Sequence, residues 1–279
     1  MTNNPLFSVL IAQYNNGKYL QEAIDSVKVQ TYTNWEIILV DDASSDISHE
    51  LYKLYEDDEQ IKIYYNEENK GCGYTKRFCA ELATGNICGF LDPDDVLLPN
   101  ALQSMVNAHN TNPDVVLVFS RYYRCDENLN IKEESRLLII PDGKTYFTNR
   151  DYRPEVFASF KKESYDKTEG LSPLYGAGVD QDLYFKLEEV GNVYVLNEFT
   201  YKWRRHSSSI SSNEDKTSFW NLIVRYETCL RRGYDVNEYA LLDYMAEIES
   251  YRRVRKSKRY RLGCLILKPF KIIKNLFKK

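Results

Sequence analysis

Several features are scarce in this 279-residue chain, and each scarcity closes off a class of protein. The six cysteines, Cys72, Cys79, Cys88, Cys125, Cys229 and Cys264, show no paired metal-ligand spacing. Nothing at the N-terminus resembles a signal peptide, so a reducing cytoplasm is the expected compartment. No apolar run approaches the ~20 residues that a bilayer-spanning helix needs. Histidines number only three, and neither an internal repeat nor a Gly- or Pro-rich linker is evident. Acidic side chains are missing from Arg255 to Lys279, which holds ten Lys and Arg; removing those ten from 37 leaves 27 basic against 41 acidic residues, a net −14 for the rest. A body that acidic argues against nucleic acid as a partner. The basic segment 255–279 carries Ile266, Phe270, Ile273 and Phe277 among its lysines. It reads either as a docked terminal helix or as a peripheral contact with the inner face of the plasma membrane.

What is present is an ordinary globular composition, 43% hydrophobic, with strands and helices in alternation. Apolar runs at Leu6 to Ala12, Trp35 to Val40, Ile61 to Tyr65 and Ile87 to Leu91 predict four strands. Helical spacing falls between them, at Tyr19 to Val29, Glu50 to Tyr55 and Tyr74 to Ala83. A helix at Ala101 to Ala108 and a strand at Val115 to Tyr123 follow, and the pattern then loosens from Asp126 to Gly178, which is assigned to a variable substrate-facing region. A glycine-rich turn enters a helix ending near Val190; a strand at Val193 to Lys202 and helices at Thr217 to Leu230 and Glu238 to Val254 close the chain. The fold class is α/β, an open, mostly parallel sheet flanked by helices, with C-terminal helices. The expected organisation is a main domain over 1–212, a helical extension over 213–254 and the basic tail over 255–279.

Ligands of such sheets sit beyond the carboxyl ends of the strands. Tyr14, Asp41, Asp42, Gly71, Asp92, Asp94 and Asp95 all lie there. The most unusual stretch is Leu91-Asp92-Pro93-Asp94-Asp95, three carboxylates within four residues at the end of a buried strand. Such crowding persists most easily beside a cation and its ligand. The competing explanation is an acidic helix N-terminus, where Asp caps free amides. Asp182, at a helix start beside the glycine-rich turn, suits a first-turn helix carboxylate or, alternatively, a general base. His206, beside Arg204, Arg205 and a serine run, suits anionic oxygens, or else a solvated loop. The Gly71-Cys72-Gly73 turn could offer amides to a phosphate.

These segments, taken in order, resemble the family 2 glycosyltransferases with a GT-A fold, of the bacterial surface-polysaccharide type. The likeness runs from Phe7 to about Ser211, through Ser8-Val9-Leu10-Ile11-Ala12-Gln13-Tyr14-Asn15, Val40-Asp41-Asp42-Ala43-Ser44-Ser45-Asp46, Asn69-Lys70-Gly71 and the Asp92-Pro93-Asp94 motif. It continues through Gln181-Asp182 and Arg205-His206-Ser207-Ser208-Ser209-Ile210-Ser211. The resemblance implies a nucleotide-binding sheet and inverting transfer of a sugar, UDP-sugar being the commonest donor type, to a saccharide or lipid-linked saccharide. By the same likeness Ala12 and Tyr14 border the nucleobase and Asp42 hydrogen-bonds it with support from Asp41. Gly71, Lys76 and Arg77 approach the donor; Asp92 reaches ribose and shares the metal or its waters with Asp94 and His206, which hold Mn²⁺ or Mg²⁺; and Asp182 is the catalytic base. Two departures stand out: Lys76-Arg77 replaces the family's usual Arg-Asn, and Gln181 precedes Asp182 where an acid is usual. The Gln-x-x-Arg-Trp motif of processive relatives is absent, so one sugar per encounter is expected. A non-catalytic glycan-binding or scaffold subunit is the alternative. A sugar-phosphate nucleotidyltransferase is disfavoured, because its glycine- and Arg-rich N-terminal loop is missing.

Overall fold

The computed structural model of the protein describes residues 4–149, 157–207, 209, 214–241 and 245. The chain divides into two compact units, Met1–Val224 and Arg225–Lys279.

The first unit is built on one mixed sheet. Its first half comprises β1 (Phe7–Gln13), α1 (Gly17–Lys28), β2 (Trp35–Asp41), the short α2 (Ser48–Tyr52), β3 (Ile61–Tyr65), α3 (Cys72–Leu82) and β4 (Ile87–Phe90). β1 pairs in parallel with both β2 and β4, and β2 with β3. This follows from residue type: β1 and β2 are nearly continuous apolar runs and are buried along almost their whole length, as strands covered on both faces must be. α1 lays Tyr19, Leu20, Ala23, Ile24 and Val27 into the core. Each fully buried aliphatic side chain there contributes about 1.5–3 kcal/mol of transfer free energy.

The second half is less regular: β5 (Val96–Leu97), α4 (Ala101–Thr111), β6 (Val115–Cys125), β7 (Ile131–Glu134), β8 (Ala158–Lys161), α5 (Lys162–Tyr165), α6 (Val179–Glu188) and β9 (Asn192–Arg204). Strand order is β3-β2-β1-β4-β8-β6-β9-β5, with β7 beside β6. β8 runs antiparallel to both β4 and β6, so parallel pairing holds from β3 to β4 and gives way to mixed pairing beyond. The loose region after Asp126 therefore contains a central, fully buried strand. Four residues, including Ser159 and Lys161, are too few and too polar to show as an apolar period.

α7 (Glu214–Arg232) contains the division between the units. The first part of α7 belongs to the main unit because Asn221 and Val224 pack where a Cβ on Gly178 would stand. In the second unit Arg225 donates to the Tyr239 carbonyl and the rings of Tyr234 and Tyr239 lie 5.2 Å apart. Asn237–Leu241 forms a π-helical turn; most of the rest of the helix expected at Glu238 to Val254, and the basic tail 255–279, lie outside the described residues. Among the described residues no helix is long and apolar enough to cross a membrane.

His109 on α4 is fully buried, with Nε2 3.0 Å from Ser159 Oγ, and burial reinforced by the Lys161 charge lowers its pKa to about 4. The folded protein therefore holds this imidazole neutral, whereas the unfolded chain protonates it below its ordinary value of 6.5. That contribution is fully present above about pH 6.5 and is lost as pH falls toward 4, amounting to about 3 kcal/mol. Urea melts at pH 7 and pH 4.5 are expected to show this loss, and His109→Gln to show a correspondingly shallower pH dependence.

Candidate functional site

The carboxyl ends of β1, β2 and β3 build one wall. Ala12 is only half-buried near the end of an otherwise buried β1, and Tyr14 just beyond it is 48% exposed, so a small side chain and an open ring stand together. Asp41 and Asp42 at the end of β2 are both buried. Asp41 accepts from Tyr52 Oη at 2.7 Å and from the Ser44 amide at 3.0 Å. Asp42 accepts from Asn66 Nδ2 at 2.7 Å and from the Lys70 and Gly71 amides, each at 2.8 Å. A carboxylate offers about four lone-pair sites, which leaves Asp42 room for one more donor.

The start of α3 is a glycine-containing turn. Gly71 caps it at φ 89°, but its amide is committed to Asp42, and the Gly73 amide donates to the Tyr175 carbonyl at 3.2 Å. Neither amide is therefore open to a phosphate. Gly73 has another purpose: a Cβ there would fall 2.5 Å from the Ser172 carbonyl oxygen, so only glycine lets the 172–175 segment pack so closely.

The stretch after β4 separates its three charges. Asp92 is half-exposed, and its Oδ1 lies 3.0 Å from Lys76 Nζ. Asp94 Oδ2 shares a 2.7 Å hydrogen bond with His206 Nε2. Asp95 does not open a helix; it is buried, accepts from Tyr201 Oη at 2.8 Å and from the Arg204 amide at 2.6 Å, and leads into β5. Burial first, then the neighbouring Asp94 and Asp92 charges, pushes the Asp95 carboxyl well above the usual range. Burial and the Asp92 charge also raise Asp94, against the opposing hydrogen bond from His206.

Lys76 is the hub on the other side. It is almost fully buried, and its ammonium donates to both oxygens of Asp180, at 2.8 and 2.9 Å, as well as facing Asp92. Burial alone would favour the neutral amine, but Asp180 and Asp92 outweigh it and keep Lys76 charged. Arg77, the next residue, is not brought into this cluster: its guanidinium donates to Glu81 and to the Glu169 and Leu171 carbonyls.

Asp182, expected as the catalytic base, has a different setting. It is 2% exposed, and its Oδ2 accepts from Lys186 Nζ at 2.8 Å and from the Ser172 amide at 3.1 Å; Lys186 also donates to the Gly170 carbonyl. The reason is helix geometry. At about 100° per residue, positions two apart point roughly 200° apart, so Asp180 and Asp182 cannot both face the crevice. α6 begins at Gly178, whose left-handed φ of 68° sets the helix phase, and that phase turns Asp180 toward Lys76 and Asp92. The sequence held a sign of this in Lys186, four residues after Asp182 and of opposite charge.

The chain resembles known proteins in sequence and in fold. Residues 8–169 match the family model "Glycosyl transferase family 2". Over 95% of its length the chain is 26% identical to Glycosyltransferase GlyG of Streptococcus pneumoniae serotype 4, covering 96% of that protein. It is also 26% identical to the hyaluronan synthase of Pasteurella multocida over 97% of this chain, which corresponds to 28% of the synthase. Among solved structures, Staphylococcus aureus TarS 1-349 in complex with UDP-GlcNAc superposes with a TM-score of 0.66 at 18% identity, covering 79% of this chain and 66% of TarS 1-349. The Pyrobaculum calidifontis mannosyltransferase PcManGT, in complex with GDP-Man and Mn²⁺, gives 0.63 at 16% identity over 100% of this chain and 89% of its own. At such identities the structural likeness is one of fold, the GT-A fold. The sheet, the strand-end carboxylates and the family match lead to one assignment: the chain is a glycosyltransferase belonging to glycosyl transferase family 2.

Proposed function

We propose that the protein transfers a sugar from a nucleoside-diphosphate sugar, with UDP as the carrier, to a hydroxyl of a saccharide or lipid-linked saccharide, inverting the anomeric centre, in surface polysaccharide assembly. The observation that carries this reading is the joining of Asp92, Lys76 and Asp180 into one ion-paired group beyond the ends of β1, β2 and β4. The complexes of TarS with UDP-GlcNAc and the polysaccharide synthases among the relatives support the choice of donor and process.

In this reading Ala12 and Tyr14 flank the base, and the remaining acceptor site of Asp42 receives a ring N–H, with Asp41 fixing the loop behind it. Lys76 supplies positive charge toward the diphosphate, and Asp92 receives donor hydroxyls. Asp180, rather than Asp182, takes the proton of the attacking acceptor hydroxyl. Burial raises the Asp180 carboxyl, Lys76 opposes that rise, and Asp92 adds to it, which leaves Asp180 above the usual carboxylate range and better suited to accept a proton.

Among the described residues no three His, Cys, Asp or Glu side chains form a ready cage for a metal. Asp94 and His206 nevertheless fit Mn²⁺ or Mg²⁺ held jointly with a diphosphate, since one carboxylate and one imidazole leave most coordination positions to phosphate oxygens. PcManGT, bound to Mn²⁺, supports the same use of a divalent ion. Such an ion would stabilise negative charge on the departing diphosphate.

Two substitutions separate the neighbouring aspartates. Asp180→Asn is expected to lower turnover by about 10²–10⁴-fold with little change in donor KM, measured with UDP-GlcNAc as the probe donor. Asp182→Asn removes the charge that balances buried Lys186 and is expected to cost about 3 kcal/mol in a urea melt. Its turnover per folded molecule should fall far less. Equal turnover by native protein and Asp180→Asn would remove Asp180 from the role of base. Chelation with EDTA is expected to abolish transfer, and added Mn²⁺ to restore it; full activity in EDTA would refute the metal requirement.

A further inference from the structure

We propose that Arg204 is the positioning residue that holds Asp94 and His206 in register for a divalent cation bound with a nucleoside diphosphate, an inference that rests on the donor reading above. Arg204 ends β9 and is only 2% exposed. Its guanidinium reaches three separate chain segments. Nε donates to the Asp94 carbonyl at 2.6 Å, Nη1 to the Glu127 carbonyl at 2.7 Å, and Nη2 to Glu22 Oε2 at 2.8 Å. Its own backbone amide donates to Asp95 Oδ1 at 2.6 Å. One side chain and one amide thus join α1, the acidic turn, the β6–β7 turn and the end of β9.

The link to the ligand pair runs through two routes. The Nε bond fixes the peptide of Asp94 itself, and His206 follows Arg204 by two residues. Tyr19 supplies the second route. Its ring lies 4.5 Å below the Arg204 guanidinium carbon and 4.9 Å from the His206 ring centroid, and its hydroxyl donates to Glu127 Oε1 at 2.8 Å. The arginine and the histidine therefore lean on one aromatic shelf, itself tied to the turn that Arg204 also holds. Arg205, the exposed neighbour, makes none of these bonds.

A planar guanidinium fork reaches three separated acceptors with N–H groups held apart in fixed directions, whereas an ammonium presents its three donors from a single point. Groups that orient metal ligands from behind are worth about 10–100-fold in metal affinity. The same range is expected here for loss of the fork.

The test uses the full chain, with free Mn²⁺ followed by electron paramagnetic resonance in the presence of UDP, and UDP binding without metal followed by calorimetry. Arg204→Lys is expected to weaken Mn²⁺ binding in the presence of UDP by about tenfold or more while metal-free UDP binding stays as in the native protein. Glu22→Ala, at an exposed position on α1, removes one of the three anchors and should shift Mn²⁺ affinity in the same direction; it carries the test if Arg204→Lys does not fold. Native-like Mn²⁺ affinity in the folded variant, or equal losses of Mn²⁺ and metal-free UDP binding, overturns this inference alone. Native protein that binds no Mn²⁺ with UDP overturns it together with the donor reading.

Discussion

Three carboxylates within four residues repel one another, and the structure answers by giving each a partner on a different element. Asp92 meets Lys76 of α3, Asp94 meets His206 beyond β9, and Asp95 is buried against Tyr201 and the Arg204 amide. The turn after β4 is thereby fixed from three sides, and those contacts bring α3, β9 and α6 to the same place, α6 entering through Asp180 on Lys76. Asp95 is the structural member of the three. Its burial between two donors anchors the turn and leaves the other two carboxylates to Lys76 and His206.

The division of labour between Asp180 and Asp182 follows from the same economy of charge. Each of the two aspartates in α6 has its own lysine: Lys76 from another element for Asp180, Lys186 from the next helical turn for Asp182. The first pair links two sides of a crevice, and the second closes on its own helix. A buried lysine left without its partner is strongly destabilising, so each pair constrains the other residue's rotamer as well as its charge. The proposed base is held in place by a cation that the proposed donor also attracts.

Much of the parallel half was legible in the sequence, because β1 and β2 are long apolar runs ending in polar turns, and strand ends locate ligands in such sheets. The mixed half was not. β8 has four residues, and β5 only two, so neither leaves a period to read. At the site, the Asp92 to Asp95 stretch stood out by charge density alone, whereas the choice between Asp180 and Asp182 depends on helix phase, which Gly178 sets through its left-handed backbone. Arg204 carried no local sign at all; its importance comes from contacts with residues 77, 110 and 182 positions away in the chain.

The central claim is that this charge cluster is a site for a nucleoside diphosphate and a divalent ion together. Thermal denaturation with UDP, with Mn²⁺ and with both tests it most directly, since a ligand that binds only the folded state raises the melting temperature. The account predicts a cooperative effect, with a rise on the order of 5 °C when both are present near a hundredfold excess over their dissociation constants, and clearly less with either alone. A melting temperature that stays the same in the presence of both would contradict it.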